Sequence, residues 1–247
     1  MRKTFFKITA ACFLLGLPIL WLLACQMACS EVISPPRRPL QLYHLDILSD
    51  PVGHGMHLTA WTLPDGTPCL FGAPSERVGR RGEVLRGQLQ SRGHALRPAG
   101  QCVGTVVLIH GRRGRKEDLL PLAERFCAVG LRCVMPDLPA HGDHPGLIAT
   151  YGIREAEIPA LALRDAEKKF RFHEANAFLW GISMGGAVCV RSAASSPSAW
   201  KAVVLVSTFD SLGKTLENQA QERVGSSLGK SGSLAWLRTF SGIRSML

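Results

Sequence analysis

Six consecutive residues, Gly181-Ile182-Ser183-Met184-Gly185-Gly186, set a serine between glycines in the spacing G-x-S-x-G. They follow a short apolar run, Ala177 to Trp180, and precede a run of small residues, Met184 to Ala194. A strand turning sharply into a helix at this point would push the Ser183 hydroxyl clear of a sheet. Glycines at 181 and 185 suit so tight a bend, because a Cβ there would meet neighbouring backbone. The free N–H groups and dipole of the helix N-terminus favour a developing negative charge. The pattern thus suits an exposed hydroxyl placed beside donors for developing negative charge.

Such a serine needs a sheet behind it, and from Leu40 onward strand and helix signals alternate. Leu42 to Leu48 and Met56 to Leu63 read as two strands of a hairpin joined by a Gly-rich turn. Asp65 to Gly100 is dense in Gly, Arg and Pro without periodicity, the pattern of a long basic loop or disordered insertion. Thr105 to Ile109 is apolar and β-branched, as a strand buried on both faces should be. Glu117 to Val129 is predicted helical, with Gly130 as a stop, and Leu131 to Met135 follows as a strand. A second amphipathic helix spans Glu155 to Phe170, and Ala177 to Trp180 and Ala202 to Val206 are further strands. This order predicts an α/β fold, a mostly parallel sheet covered by helices on both faces. The site should then lie in loops at the carboxyl ends of the strands.

The remaining composition restricts the partners. The chain has 247 residues and a formal charge of +10, from 29 Lys and Arg against 19 Asp and Glu. Ten of those cations but only two Glu fall between Ser75 and Lys116, so a local basic stretch explains most of the excess. No helix-turn-helix, finger or RNA-binding signature accompanies it, and nucleic acid is not an expected partner. Arg112, Arg113, Arg115 and Lys116 read as a solvated charge run, or as recognition of an anionic substrate or lipid headgroup. Arg2, Lys3 and Lys7 precede an apolar run of 18 residues, Ile8 to Cys25. That is the pattern of an export signal, or of a retained membrane anchor facing away from the cytoplasm. Leu22-Leu23-Ala24-Cys25 is similar to a lipoprotein box. The expected organisation is a signal or anchor over 1–30, a Pro-rich spacer over 31–40 and a catalytic-type domain over 41–247 with its basic loop at 65–100. An extracytoplasmic, membrane-attached location follows, on an inner membrane or as a lipoprotein. The eight cysteines show no CxxC pair, so neither metal nor cofactor is implied. Cys69 and Cys102 could close a disulfide in an oxidising compartment, and Cys189 reads as a core residue.

Three segments in order resemble the α/β-hydrolase superfamily, notably its lysophospholipase and serine-aminopeptidase types. They are Val106-Val107-Leu108-Ile109-His110-Gly111, Asp137-Leu138-Pro139-Ala140-His141-Gly142 and the Ser183 motif, with Ala140 replacing a glycine of the family pattern. The resemblance implies Ser183 as nucleophile, and the backbone N–H groups of Met184 and Arg112 as oxyanion hole. It also implies a small-molecule or lipid ester or amide as substrate. In the family, positions like His110 and His141 are usually structural.

A serine hydroxyl needs a base, and the family order is Ser, then Asp or Glu, then His. No histidine follows Ser183; the last is His173. Asp210 is a weak candidate for the acid, and His141 (or His144) for an unusual base. Val203 to Val206 suits an internal strand with partners on both sides, yet no later strand signal supplies the second. The sequence therefore reads as the first two-thirds of such a hydrolase. Three expectations stand: a membrane-attached serine hydrolase, a hydrolase-like binding module without catalysis, and a truncated gene product.

Overall fold

Every residue of Gly104–Ile109 is buried, and its side chains alternate between two separate cores. Val107 and Ile109 enter one apolar cluster while Val106 and Leu108 enter the other. A strand with two apolar faces requires helices on both sides, and the rest of the chain supplies them. The structure, a computed structural model, describes residues 16–224 except 17, 24 and 28. Six strands form one sheet in the order β1-β2-β4-β3-β5-β6. They are β1 (Met56–Thr62), β2 (Pro68–Pro74), β3 (Gly104–Ile109), β4 (Leu131–Pro136), β5 (Ala177–Ile182) and β6 (Ala202–Val206). β3 runs parallel to β4 and β5, and β5 to β6; β1 and β2 are antiparallel. The α/β fold with a mostly parallel sheet is as expected.

From Leu42 onward the α-helices are α1 (Leu42–Ser49), α2 (Arg80–Ser91), α3 (Leu120–Ala128), α4 (Ile158–Phe170), α5 (Met184–Ser195) and α6 (Leu212–Val224). α3 covers one face through Leu120, Ala123 and Cys127. α4 and α5 cover the other, through Ala162, Leu163 and Ala166 and through Met184, Val188 and Cys189.

The N-terminal part of the domain departs from the sequence expectation. Leu42–Ser49 is a helix, not a strand: the Gln41 N–H donates to His44 Nδ1 at 2.9 Å and starts the turn. Only His44 and Ile47 of its eight residues are buried, and that three-residue spacing is helical. The hairpin partner of β1 is β2, in register from Met56 opposite Pro74 to Thr62 opposite Pro68. The expected loop over 65–100 therefore contains β2 and α2. Pro68, Gly72 and Pro74 disguise the strand, and α2 buries only Gly82 and Leu85, too little for an apolar stripe. Cys69 and Cys102 are free thiols, each bonded instead to a nearby carbonyl, of Thr67 and Gly100. Cys189 is fully buried, as expected.

β6 pairs with β5 alone among the described residues, and Val204 and Leu205 are 50% and 43% exposed. The internal position expected for this run is thus not occupied there. Gly225 to Leu247 and Met1 to Leu15, the first half of the expected signal stretch, lie outside the described residues. Among those described, no helix is long and apolar enough to cross a membrane.

Leu108→Ala is expected to cost about 2–5 kcal/mol of unfolding free energy, the range for emptying a closed core position. Leu205→Ala is expected to cost less than about 1 kcal/mol, because its side chain is already partly hydrated. Paired urea unfolding curves read both.

Candidate active site

Ser183 joins β5 to α5 at φ 53° and ψ −117°, a conformation that non-glycine residues rarely adopt. Surrounding bonds hold it there. The Ser183 N–H donates to Val206 O at 2.9 Å, and its carbonyl accepts from Thr208 Oγ1 at 2.7 Å and from the Gly186 N–H at 3.0 Å. A Cβ on Gly181 would lie 2.4 Å from Gly185 O, and one on Gly185 would lie 2.3 Å from Ile109 O. Both glycines are thus required by close backbone approach, as the motif predicts. Met184 is the first residue of α5, so its N–H has no intrahelical acceptor.

The loop after β3 approaches the same serine. Gly111 sits so close that an added Cβ would be 3.4 Å from Ser183 Cβ. Its carbonyl closes a turn by accepting the Gly114 N–H at 3.0 Å, with Arg113 left-handed at φ 60°. Arg112 lies at the turn's second position. Among the described residues its N–H donates to no backbone carbonyl, and it shares a cavity of about 340 Å³ with Ser183. Leu119, Leu122, Trp180 and Ile182 form the apolar wall of that cavity.

This loop and the one after β4 are both anchored by Asp137, which is fully buried at the end of β4. Its carboxylate accepts from the Lys116 N–H at 2.7 Å, Lys116 Nζ at 2.8 Å and the Asp143 N–H at 2.8 Å. Gly142 wraps around it at φ 50°, where a Cβ would fall 2.1 Å from Asp137 Oδ1. Arg115 and Lys116 are buried and paired with Glu117, Asp137 and Asp143. The solvated charge run expected here is half wrong: these two cations are structural. Burial works against the Lys116 charge, but Asp137 and Asp143 outweigh it and raise its pKa above the ordinary lysine range.

The histidines brace loops. His110 donates from Nδ1 to Gly111 O at 2.9 Å and accepts the Leu138 N–H on Nε2 at 3.0 Å, which uses both nitrogens in the neutral form. His144 accepts the Gly146 N–H on Nδ1, and its Nε2 meets Thr67 Oγ1. His141 donates from Nδ1 to Pro139 O at 2.8 Å, while its buried Nε2 has no partner. Burial, with His110 alongside, pushes the His141 pKa down to about 4. Among the described residues no imidazole is hydrogen-bonded to the Ser183 hydroxyl. Asp210 is exposed and paired with Lys214 at 3.1 Å, which lowers its pKa and leaves it facing no histidine. The structure thus gathers Ser183, Met184 and Arg112, and leaves Asp210 and His141 apart from that group. Nor is any cluster of His, Cys, Asp and Glu arranged to hold a metal among the described residues.

One contributor carries no motif. The Pro-rich segment expected to be a spacer is laid across the site. The carbonyls of Glu31, Val32 and Ile33 accept from Arg112 (3.4 Å), Tyr151 Oη (2.8 Å) and the Ala149 N–H (2.7 Å). Arg37 donates to Gly142 O and Gly146 O, and Arg38 O accepts from Arg115.

This arrangement of sheet, bend and paired loops has relatives. A model of the alpha/beta hydrolase family matches residues 106–246, more than half of the sequence. The chain belongs to the alpha/beta hydrolase family. Three solved structures of the Pyrococcus furiosus esterase Pf2001 share the fold. In the first, the TM-score is 0.54 at 18% identity over 76% of this chain and 62% of that one. In the second it is 0.56 at 16% identity, over 85% and 68%. In the third it is 0.51 at 17%, over 75% and 60%. The chain thus spans 60% to 68% of the length of that esterase. Among curated proteins none matches in sequence.

Asp137→Asn should destabilise the domain by about 3–5 kcal/mol, because it leaves the Lys116 ammonium buried without its main partner. Urea denaturation measures this. His141 supplies a pH signature. Its folded pKa is depressed, so the unfolded chain binds the proton first, and stability is full above about pH 6.5 and falls as pH drops towards 4. At about 1.4 kcal/mol per unit, the loss through this one group amounts to about 3 kcal/mol. His141→Asn should flatten the stability profile across that window.

Proposed function

We propose that the protein is a hydrolase of ester or amide bonds that uses Ser183 as nucleophile, with the Met184 and Arg112 amides as oxyanion donors. The observation that carries this reading is the strained bend at Ser183. It faces a cavity beside two N–H groups that have no backbone partner among the described residues, in a chain of the alpha/beta hydrolase family. The carbonyl oxygen of a bound substrate would gain charge as Ser183 Oγ adds to its carbon, and amides placed beforehand stabilise that charge without reorganisation. The apolar wall of Leu119, Leu122 and Trp180 suits an acyl or alkyl chain, consistent with a lipid or small-molecule substrate. Membrane attachment through the N-terminal segment, on an extracytoplasmic face, is part of this proposal. It rests on the basic start and the apolar run before Cys25.

A second reading, binding without turnover, is favoured by one specific observation: no imidazole contacts the Ser183 hydroxyl among the described residues. Without a base the hydroxyl is a poor nucleophile. A fluorophosphonate probe separates the two. Labelling of the full chain that vanishes in Ser183→Ala supports the hydrolase. Folded chain that takes up no label, as read by mass spectrometry, supports the binding module.

A further inference from the structure

The cavity beside Ser183 has two chemically distinct walls. One is apolar, from Leu119, Leu122, Trp180 and Ile182; the other is polar, from Arg38, Arg112, Arg113 and Asp118, with Arg38 paired to Asp118 at 3.4 Å. Of the basic run in this loop, Arg115 and Lys116 are consumed by buried carboxylates, whereas Arg112 and Arg113 are not. Among the described residues, their one carboxylate is Glu31 on the N-terminal segment. Its Oε1 lies 3.6 Å from the Arg112 guanidinium and is ion-paired with Arg113. All three side chains are at least a quarter exposed, so the pairing is exchangeable and weak compared with the Asp137 cluster. Arg112 also keeps one donor in reserve: its Nε is shielded from water and has no hydrogen-bond partner. A shielded guanidinium donor without an acceptor is unfavourable, and an incoming anion relieves it.

From these features we propose that the cavity binds an amphiphile bearing an anionic group, phosphate or carboxylate, and that this group replaces the Glu31 carboxylate on Arg112 and Arg113. The proposal rests on the hydrolase reading for the position of the scissile bond, since it names the class of substrate that site would take. Guanidinium forks match the paired oxygens of such anions, and two of them on one loop select for charge in a way that a lone lysine does not. The apolar tail of the ligand lies along Leu119, Leu122 and Trp180. Glu31 acts as an internal competitor: the apparent affinity is the intrinsic one multiplied by the fraction of chains in which Glu31 leaves the arginines free. Arg112 thereby has two separate duties: its amide faces the reacting oxygen and its side chain reads charge.

The test is direct binding, in a form that does not depend on turnover. Full-length chain carrying Ser183→Ala is titrated calorimetrically with monooctyl phosphate and, separately, with 1-octanol. Octyl phosphate is expected to bind more tightly than octanol. Arg113→Gln should weaken it about tenfold, and Glu31→Gln should tighten it about threefold or more. Octanol should respond to neither substitution. Both changes are at partly exposed side chains, so unfolding curves should stay unchanged and act as the control. The proposal is overturned if octyl phosphate binds no better than octanol, or if its affinity is indifferent to both substitutions. Charge-dependent binding in a chain that takes no fluorophosphonate label would instead keep this proposal and remove the catalytic one.

Discussion

A single carboxylate with no access to water organises the carboxyl end of the parallel strands. Burying Asp137 would cost several kcal/mol if it were left alone, and it is tolerated because three donors converge on it. Those donors come from two different loops: Lys116 belongs to the one after β3, and Asp143 to the one after β4. Satisfying one acid therefore fixes two segments that are about twenty residues apart in sequence. The bond from Leu138 to His110 ties the same loops a second time. The separation between the Gly111–Arg112 turn and Ser183 is set jointly by these anchored loops and by the pairing of β3 with β5, which puts Ile109 opposite Gly181.

The serine is the opposite kind of element. Its backbone conformation costs on the order of 1–3 kcal/mol, which surrounding contacts must offset. The repayment comes from its neighbours: Val206, Thr208 and Gly186 satisfy its polar groups, and Ile109 and Gly111 close in from the adjacent strand. Local strain is thus carried by the strongest part of the sheet, where β3 and β5 are packed from both sides. That division suits a hydroxyl whose orientation must survive thermal motion.

How much of this was legible in the sequence depended on where the information was held. β3, β4, β5, α4 and α5 announced themselves through continuous apolar runs or an apolar stripe, since each must satisfy a core on at least one face. The close approach at Gly181 and Gly185 was likewise readable from spacing. α1, β2 and α2 were misread because they bury few residues or carry prolines, so their structure comes from tertiary context. The fate of Arg115 and Lys116 was hidden for another reason. A run of like charges looks solvated until the acids that meet it, at 137 and 143, arrive from a distant loop. Apart from the Glu31 carboxylate on Arg112 and Arg113, the bonds from Glu31, Val32 and Ile33 to the site run through backbone carbonyls, which every residue has, so no side-chain pattern could have shown those.

Ala140 and Gly142 stand two residues apart, both with left-handed backbones, at φ 65° and φ 50°. The methyl at 140 is sheltered in the apolar cluster, which offsets most of the roughly 1–2 kcal/mol that such a backbone costs an alanine. At 142 a methyl would collide with the carboxylate it encircles. Drift between glycine and alanine is thus nearly free at the first position and forbidden at the second. The missing glycine of the family signature is a neutral spelling variant, and it says nothing against the integrity of the loop.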